Sequence, residues 1–152
     1  MISRVRGLLA GLGGGVAWIA AMLLIFGPAQ AILTDPQRQS AKFLEVFAGS
    51  PPPRMSEAPW IVPAGILAIT VLWGCVYAGL ARSWTGAWWR RGLRFGGIAW
   101  VLMVPWFEFY LPWNVMREPA PLVLLEMACW LGVLLCVGLA IAGVERIGDR
   151  HQ

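Results

Sequence analysis

The sequence predicts an all-helical polytopic membrane protein, a single membrane domain over residues 1–152 built as an antiparallel bundle of four transmembrane helices. The chain contains four apolar runs, each long enough for the roughly 20 residues that a helix needs to cross a bilayer core. In addition, 59% of the residues are hydrophobic and only 13% are charged. Since about a quarter of the residues are charged in ordinary soluble domains, this composition excludes that class. The runs also lack the strand-like alternation of an outer-membrane barrel.

The first predicted span covers residues 7–27. Pro28 is expected to end it, because a proline inside a helix removes a backbone hydrogen bond and clashes with the preceding turn. An alternative interpretation is a signal peptide, since the chain begins with basic residues and positions 29–31 read Ala-Gln-Ala, the small-x-small form of a cleavage site. The apolar stretch is longer than a usual signal core, which favours a retained anchor. Cleavage after Ala31 would leave three spans.

The other three spans are predicted over residues 60–81, 95–115 and 121–144. The second carries no charge and has prolines only near its start, where a missing N–H group does least harm. The third is interrupted by Glu108, and the fourth contains Glu126. Short charge-bearing segments separate these runs, as expected for neighbouring helices that cross the bilayer in opposite directions.

The first outer loop, residues 34–59, is predicted to contain a short amphipathic helix between Asp35 and Gly49, residue types that commonly start and stop helices. Three apolar side chains share one face of this helix, namely Phe43, Leu44 and Phe47. Such a helix either lies on the outer membrane surface or packs on its own bundle, and the pattern leaves both possibilities open.

The distribution of basic residues predicts the orientation of the bundle. Eight of the twelve lie near the chain ends or in the cytoplasmic loop 82–94, and four lie in the loop 34–59 or at Arg117. Since basic residues in short loops stay in the cytoplasm, both termini are predicted to be cytoplasmic, in a bacterial inner (plasma) membrane. The net charge of +4 comes mostly from these predicted cytoplasmic basic residues, whose natural neighbours are anionic lipid headgroups. It therefore gives no evidence for nucleic acid as a partner.

Small residues recur at four-residue spacing within the spans. The stripes expected to pack helices closely are Gly7, Gly11 and Gly15 in the first span and Ala128, Gly132, Cys136 and Ala140 in the fourth. Lipid tails are as apolar as leucine, so helices in a bilayer associate through close backbone approach, which small residues allow. The stripes are predicted to pack this bundle, while a spare stripe would serve a homo-oligomer or a membrane protein partner.

Glu108 and Glu126 are the candidate functional residues, because charged side chains inside a span are costly and mark ion or substrate sites. Each lies close to a proline at the same membrane boundary, so both are expected at similar, shallow depth. If they face one another, burial and like charge favour a shared proton or a bound cation. Alternatively, each reaches water, a backbone group or the nearby Arg117.

Three further residues accompany the two glutamates in the candidate site. Pro105 is expected to bend the third helix one turn before Glu108, and a bend beside a carboxylate can open a polar pocket. Trp106 and Tyr110 lie near the same boundary. Rings at this depth usually belong to an interfacial aromatic belt, and an aromatic ligand cage is the alternative.

No complete catalytic or cofactor motif occurs in the sequence. The only histidine is His151, the three cysteines form no CxxC pair, and nucleotide-binding spacings are absent. Neither a metal nor a cofactor is therefore predicted. The leading hypothesis is a non-enzymatic interaction or accessory subunit. The alternative is a small proton- or cation-coupled transporter that uses Glu108 and Glu126, and a membrane enzyme acting on lipid or quinone is the third class.

Overall fold

The structure, a computed structural model, describes the backbone of residues 2–149 and the side chains from Val5 to Ile147. Arg150 and His151 lie outside the described residues. The chain is 84% helical, without strands in its described part. Four helices are long and apolar enough to cross a membrane, and they are the four spans named below: Val5–Leu33, Ile61–Ser83, Trp88–Val115 and Ala120–Ile147. The predicted all-helical class with four membrane-spanning helices is confirmed.

The first span is longer than predicted and passes through Pro28. It consists of α1 (Ile2–Ala21), a π turn at Met22–Phe26 and α2 (Gly27–Leu33). The predicted end at Pro28 is therefore wrong. Because hydrogen bonds in a π turn reach back five residues instead of four, the widened turn just before Pro28 makes room for a ring that an α turn would exclude. The span continues six residues beyond residue 27, to Leu33.

The loop between the first two spans contains α3 (Ala41–Ala48), called the loop helix below, and the single turn α4 (Arg54–Glu57). The loop helix ends at Gly49 but starts after Ser40, so the predicted start at Asp35 is wrong. Asp35 instead accepts a hydrogen bond from the backbone N–H of Gln37 and forms an ion pair with Arg38, both at 3.0 Å. The location of the loop helix on a membrane surface stays a prediction.

The remaining spans are α5 (Ile61–Leu80) followed by a 3₁₀ turn, α6 (Trp88–Glu108) followed by a π turn at Phe109–Val115, and α7 (Ala120–Asp149). Because α6 begins seven residues before residue 95, the predicted loop 82–94 is wrong in its second half. Two of the three arginines in that half lie over aromatic rings: the guanidinium carbon of Arg90 is 5.0 Å from the Trp89 ring centroid, and that of Arg94 is 5.0 Å from the ring of Trp84. Such contacts let charged residues occupy the first turns of a membrane helix.

Glycines bring the helix pairs into backbone contact, with neighbouring helices antiparallel. Helix α1 packs on α5 and α7, and α6 packs on α7. A Cβ atom added at Gly74 would lie 2.1 Å from the carbonyl oxygen of Gly7, and one added at Gly11 would lie 2.4 Å from Val71 Cα. On the other side of the bundle, a Cβ at Gly138 would lie 2.3 Å from the Gly92 oxygen. Only glycine permits these approaches.

The predicted stripe residues of the first and fourth spans differ in their surroundings. A Cβ at Gly15 would meet Thr70 Oγ1 at 2.9 Å, and one at Gly132 would meet Ile25 Cδ1 at 3.0 Å, so both glycines face neighbouring helices. Cys136, in contrast, is exposed. At about 100° per residue it lies on the side of α7 opposite the fully buried Leu134, which contacts α6.

Candidate functional site

The structure brings the two intramembrane glutamates together. Glu108 is the last residue of α6, and Glu126 lies in the second turn of α7. The Glu108 side chain is 1% exposed, while Glu126 is partly buried. Their carboxyl groups lie close enough for one, when protonated, to hydrogen-bond the other. The antiparallel packing of α6 on α7 produces this juxtaposition, because both residues lie near the short connection between the two helices.

One oxygen of the pair has no partner. The indole of Trp130 lies beside the Glu108 carboxyl, yet Glu108 Oε2 is fully buried and has no hydrogen bond among the described residues. Leaving a buried polar atom unsatisfied costs about 1–3 kcal/mol, and a bare carboxylate costs more. A proton or a cation at this oxygen would remove that cost.

Both glutamates line a cavity of about 590 Å³ at the end of the bundle that carries the loop helix. The first, third and fourth spans and the loop helix form its walls. Five aromatic residues contribute to the lining: Phe26, Phe43, Phe47, Phe107 and Trp130. Three uncharged polar residues join them: Gln30, Thr34 and Gln39. The site is thus a largely apolar chamber with two acidic groups in its wall.

Hydrogen bonds from one serine hold the loop helix over this chamber. The backbone N–H of Ser40 donates to Glu118 Oε1 at 3.1 Å, and its hydroxyl donates to the carbonyl oxygen of Met116. The same hydroxyl accepts from the N–H of Phe43 at 2.9 Å and so caps the loop helix. Glu118 is 6% exposed and close enough to Glu126 for their charges to repel. Glu118 therefore adds a third carboxyl group close to the Glu108–Glu126 pair.

Arg117, Trp106 and Tyr110 do not line the cavity with the two glutamates. Arg117 is exposed on the connection between α6 and α7, with φ of +58°, and is not among the described residues that line the cavity. Trp106 and Tyr110 are 66% and 51% exposed and stack on each other with ring centroids 5.7 Å apart. Two residues along a helix correspond to about 200°, so both rings point away from Glu108 and onto the bundle surface.

Helix geometry near Pro105 is regular at the proline itself and becomes irregular a few residues later. Helix α6 continues through Pro105 to Glu108, and the π turn Phe109–Val115, which includes Pro112, follows directly. The bend expected at Pro105 stays a prediction. This π turn and the one at Met22–Phe26 both contribute residues to the cavity wall, and π turns inside membrane helices often occur at functional sites.

Several residues that line the cavity or hold the loop helix over it were not predicted from the sequence. Phe26 and Gln30 belong to the part of the first span around and beyond Pro28, where a helix end was predicted. Trp130 could have been found, because it follows Glu126 by four residues and therefore shares its helix face. Ser40 and Glu118 have no local signal of their own, since their hydrogen bond joins residues 78 positions apart.

Comparisons with protein-family models, with curated proteins and with solved structures find no match for this chain. Among the side chains from Val5 to Ile147, no group of three or more histidine, cysteine, aspartate or glutamate residues is placed to hold a metal ion. The fold and the site together define a class: a multi-pass helical membrane protein with an acidic, largely apolar cavity between its helices. The function of this chain has to be argued from that cavity.

Proposed function

We propose that the protein binds a proton or a cation at Glu108 and Glu126 and couples this binding to transport across the membrane. The observation that carries the proposal is the buried Glu108 Oε2, which has no partner although it lies beside a second carboxyl group in a cavity wall. A purely structural carboxylate would be expected to have its oxygens satisfied. Intramembrane carboxylates that face a cavity are typical of proton relays and ion pathways.

The helices around the cavity support a transport function. Two of the three spans in its wall contain π turns, Met22–Phe26 and Phe109–Val115, at the level of the site. Transporters commonly place their binding sites where membrane helices depart from regular geometry, because such segments can change conformation and expose polar backbone groups to a ligand. The transporter hypothesis therefore gains support relative to the accessory-subunit hypothesis.

Replacing both glutamates by glutamine is expected to abolish proton-driven flux. Glutamine keeps the shape and hydrogen-bonding capacity of each side chain but cannot release a proton or balance a cation. The protein is reconstituted into vesicles containing a pH-sensitive dye, a potassium diffusion potential is applied, and internal acidification is followed. The Glu108→Gln/Glu126→Gln variant should match protein-free vesicles, while the parent exceeds them.

The matched control is Glu57→Gln, which removes one exposed carboxylate far along the chain from Glu108 and Glu126. It should leave the flux unchanged. Flux that persists in the variant lacking both carboxylates, or a parent protein that does not exceed protein-free vesicles, would dispose of the transport proposal.

We further propose that both termini are cytoplasmic and that the membrane is a bacterial inner membrane, so that the cavity lies on the outer side. The bias of basic residues supports this orientation. A cysteine-free background carrying either Ser56→Cys in the loop-helix segment or Ser83→Cys in the opposite loop provides the test, since both serines are exposed. An impermeant maleimide should label position 56 in intact cells and position 83 only after permeabilisation. The reverse labelling pattern would invert the topology.

An interaction or accessory subunit is the second candidate function. The second span packs mainly on α1, and its surface includes Gly79, where an added Cβ would meet nothing within 4 Å. Small residues of this kind allow close approach of a further helix from a second copy or from another membrane protein. Purification in mild detergent tests this idea, and recovery of the chain alone as a monomer would count against it.

A further inference from the structure

We propose that the cavity binds a lipophilic organic cation, a molecule with an ammonium or phosphonium centre on an apolar, aromatic body. This inference rests on the proposed function, which makes Glu108 and Glu126 the cation-binding groups, and it adds the chemical class of the ligand. The charge, the wall chemistry and the size of the cavity each favour this class.

The charge around the cavity selects for a cation. Glu108 and Glu126 are in its wall, and Glu118 lies within electrostatic reach of Glu126. The first span and the segment leading to the loop helix contribute only uncharged polar groups there, namely Gln30, Thr34 and Gln39. None of the described residues that line the cavity is basic. An anion would find no counter-charge in this chamber.

The apolar walls select for an organic rather than an inorganic cation. A small metal ion is strongly hydrated and needs about six oxygen ligands to replace its water. Most of this chamber consists instead of aromatic, leucine and methionine side chains. An organic cation spreads its charge, buries its own apolar surface and is attracted to ring faces such as those of Phe43 and Trp130. The carboxylates then need to supply only the counter-charge.

The size of the cavity fits a compact ligand. Its volume of about 590 Å³ lies within the range of about 300–1,000 Å³ that is usual for drug-sized molecules. Met22 and Met55 in the wall are flexible and polarizable, which helps a site to accept bodies of different shape. An aminolipid could also supply an ammonium group. We assign the site to a free cation because the uncharged polar residues place one wall beside the polar segment that leads to the loop helix, which contains Asp35 and Arg38.

Equilibrium dialysis with labelled tetraphenylphosphonium tests the inference on the full chain in a neutral maltoside detergent. Saturable binding near one molecule per chain is expected. Affinity should fall by at least about tenfold in the Glu108→Gln/Glu126→Gln variant, the effect of losing a desolvated charge pair, and stay unchanged in Glu57→Gln. Triphenylphosphine oxide, which is aromatic but neutral, should bind much more weakly.

A second variant keeps the test decisive if the double variant does not fold. Phe43→Leu on the loop helix retains an apolar side chain but removes a ring from the wall, so it should weaken tetraphenylphosphonium binding severalfold while leaving the helical bundle intact. Unchanged affinity in both the double variant and Phe43→Leu would overturn the inference. Equal binding of the neutral oxide would do the same, as would complete displacement of the probe by phosphatidylethanolamine added to the micelles.

The two proposals fail separately. Carboxylate-dependent probe binding without any flux in vesicles would overturn the transport function and support the ligand class. Carboxylate-dependent proton flux with no probe binding would support the transport function and overturn the ligand class.

Discussion

Replacement of Gly74 by leucine is expected to prevent the first and second spans from packing. A Cβ atom at this position would lie 2.1 Å from the Gly7 carbonyl oxygen and 2.5 Å from the Gly11 nitrogen. Both are backbone atoms and cannot rotate away as a side chain could. Extra atoms in a packed core usually cost about 1–3 kcal/mol, and a clash with the backbone of a neighbouring helix belongs at or above the upper end of that range. We expect a loss of at least about 3 kcal/mol in the free energy of unfolding.

The measurement is reversible unfolding in mixed micelles followed by circular dichroism, with Gly79→Leu as the matched control. Gly79 lies on the same helix, five residues further on, and an added Cβ there would meet nothing within 4 Å. The control should change stability by no more than about 1 kcal/mol, the scale of helix propensity. Equal losses in the two variants would mean that the close crossing of the two spans does not exist.

Replacement of Glu108 by methionine is expected to stabilise the fold while removing proton or cation binding. The glutamate is buried, one of its oxygens has no hydrogen bond, and it lies beside a second carboxyl group. Methionine has a similar length and suits a wall that already contains phenylalanine and tryptophan side chains. Removing the unsatisfied atom should raise the free energy of unfolding by about 1–3 kcal/mol. A substitution that raises stability and removes activity is what we expect at a functional residue.

Replacement of Glu118 by methionine should instead lower the free energy of unfolding. Glu118 Oε1 accepts a hydrogen bond from the Ser40 N–H at 3.1 Å, so Glu118→Met would leave that donor unpaired in a partly buried position. Measured in the same unfolding assay, Glu118→Met should be destabilised and Glu108→Met stabilised relative to the parent. If Glu108→Met also loses stability by a comparable amount, then Glu108 has a structural role and the argument for a binding site fails.

The four spans could be predicted from the sequence because hydrophobic length is a local property of the chain. Their boundaries could not, for two physical reasons. Pro28 lies inside the first span because a π turn precedes it, and nothing in the residues 22–26 indicates such a turn. Helix α6 begins at Trp88, in a segment with three arginines, and aromatic rings accommodate the side chains of Arg90 and Arg94. That compensation depends on which residues become neighbours after folding.

The candidate site was predictable in part. The distance of each glutamate from a nearby proline was enough to expect both at similar depth, and the short connection between their helices brings them together. The opposing wall was not predictable, since Phe26 and Gln30 come from a different span and Phe43 from the loop helix. Trp106 and Tyr110 are predicted at the same membrane boundary as Glu108, but direction around the helix decides which residues share a site.

Ser40 ties the loop helix, which covers the cavity, to the segment between α6 and α7. The same residue caps the loop helix and binds both Met116 and Glu118, in the segment that connects the two glutamate-bearing helices. Moving the loop helix away would break the bonds to Met116 and Glu118 together, while the cap on Phe43 would move with the helix. Because the Glu118 carboxylate would lose its partner in that movement, a cation entering from this end would meet one more negative charge.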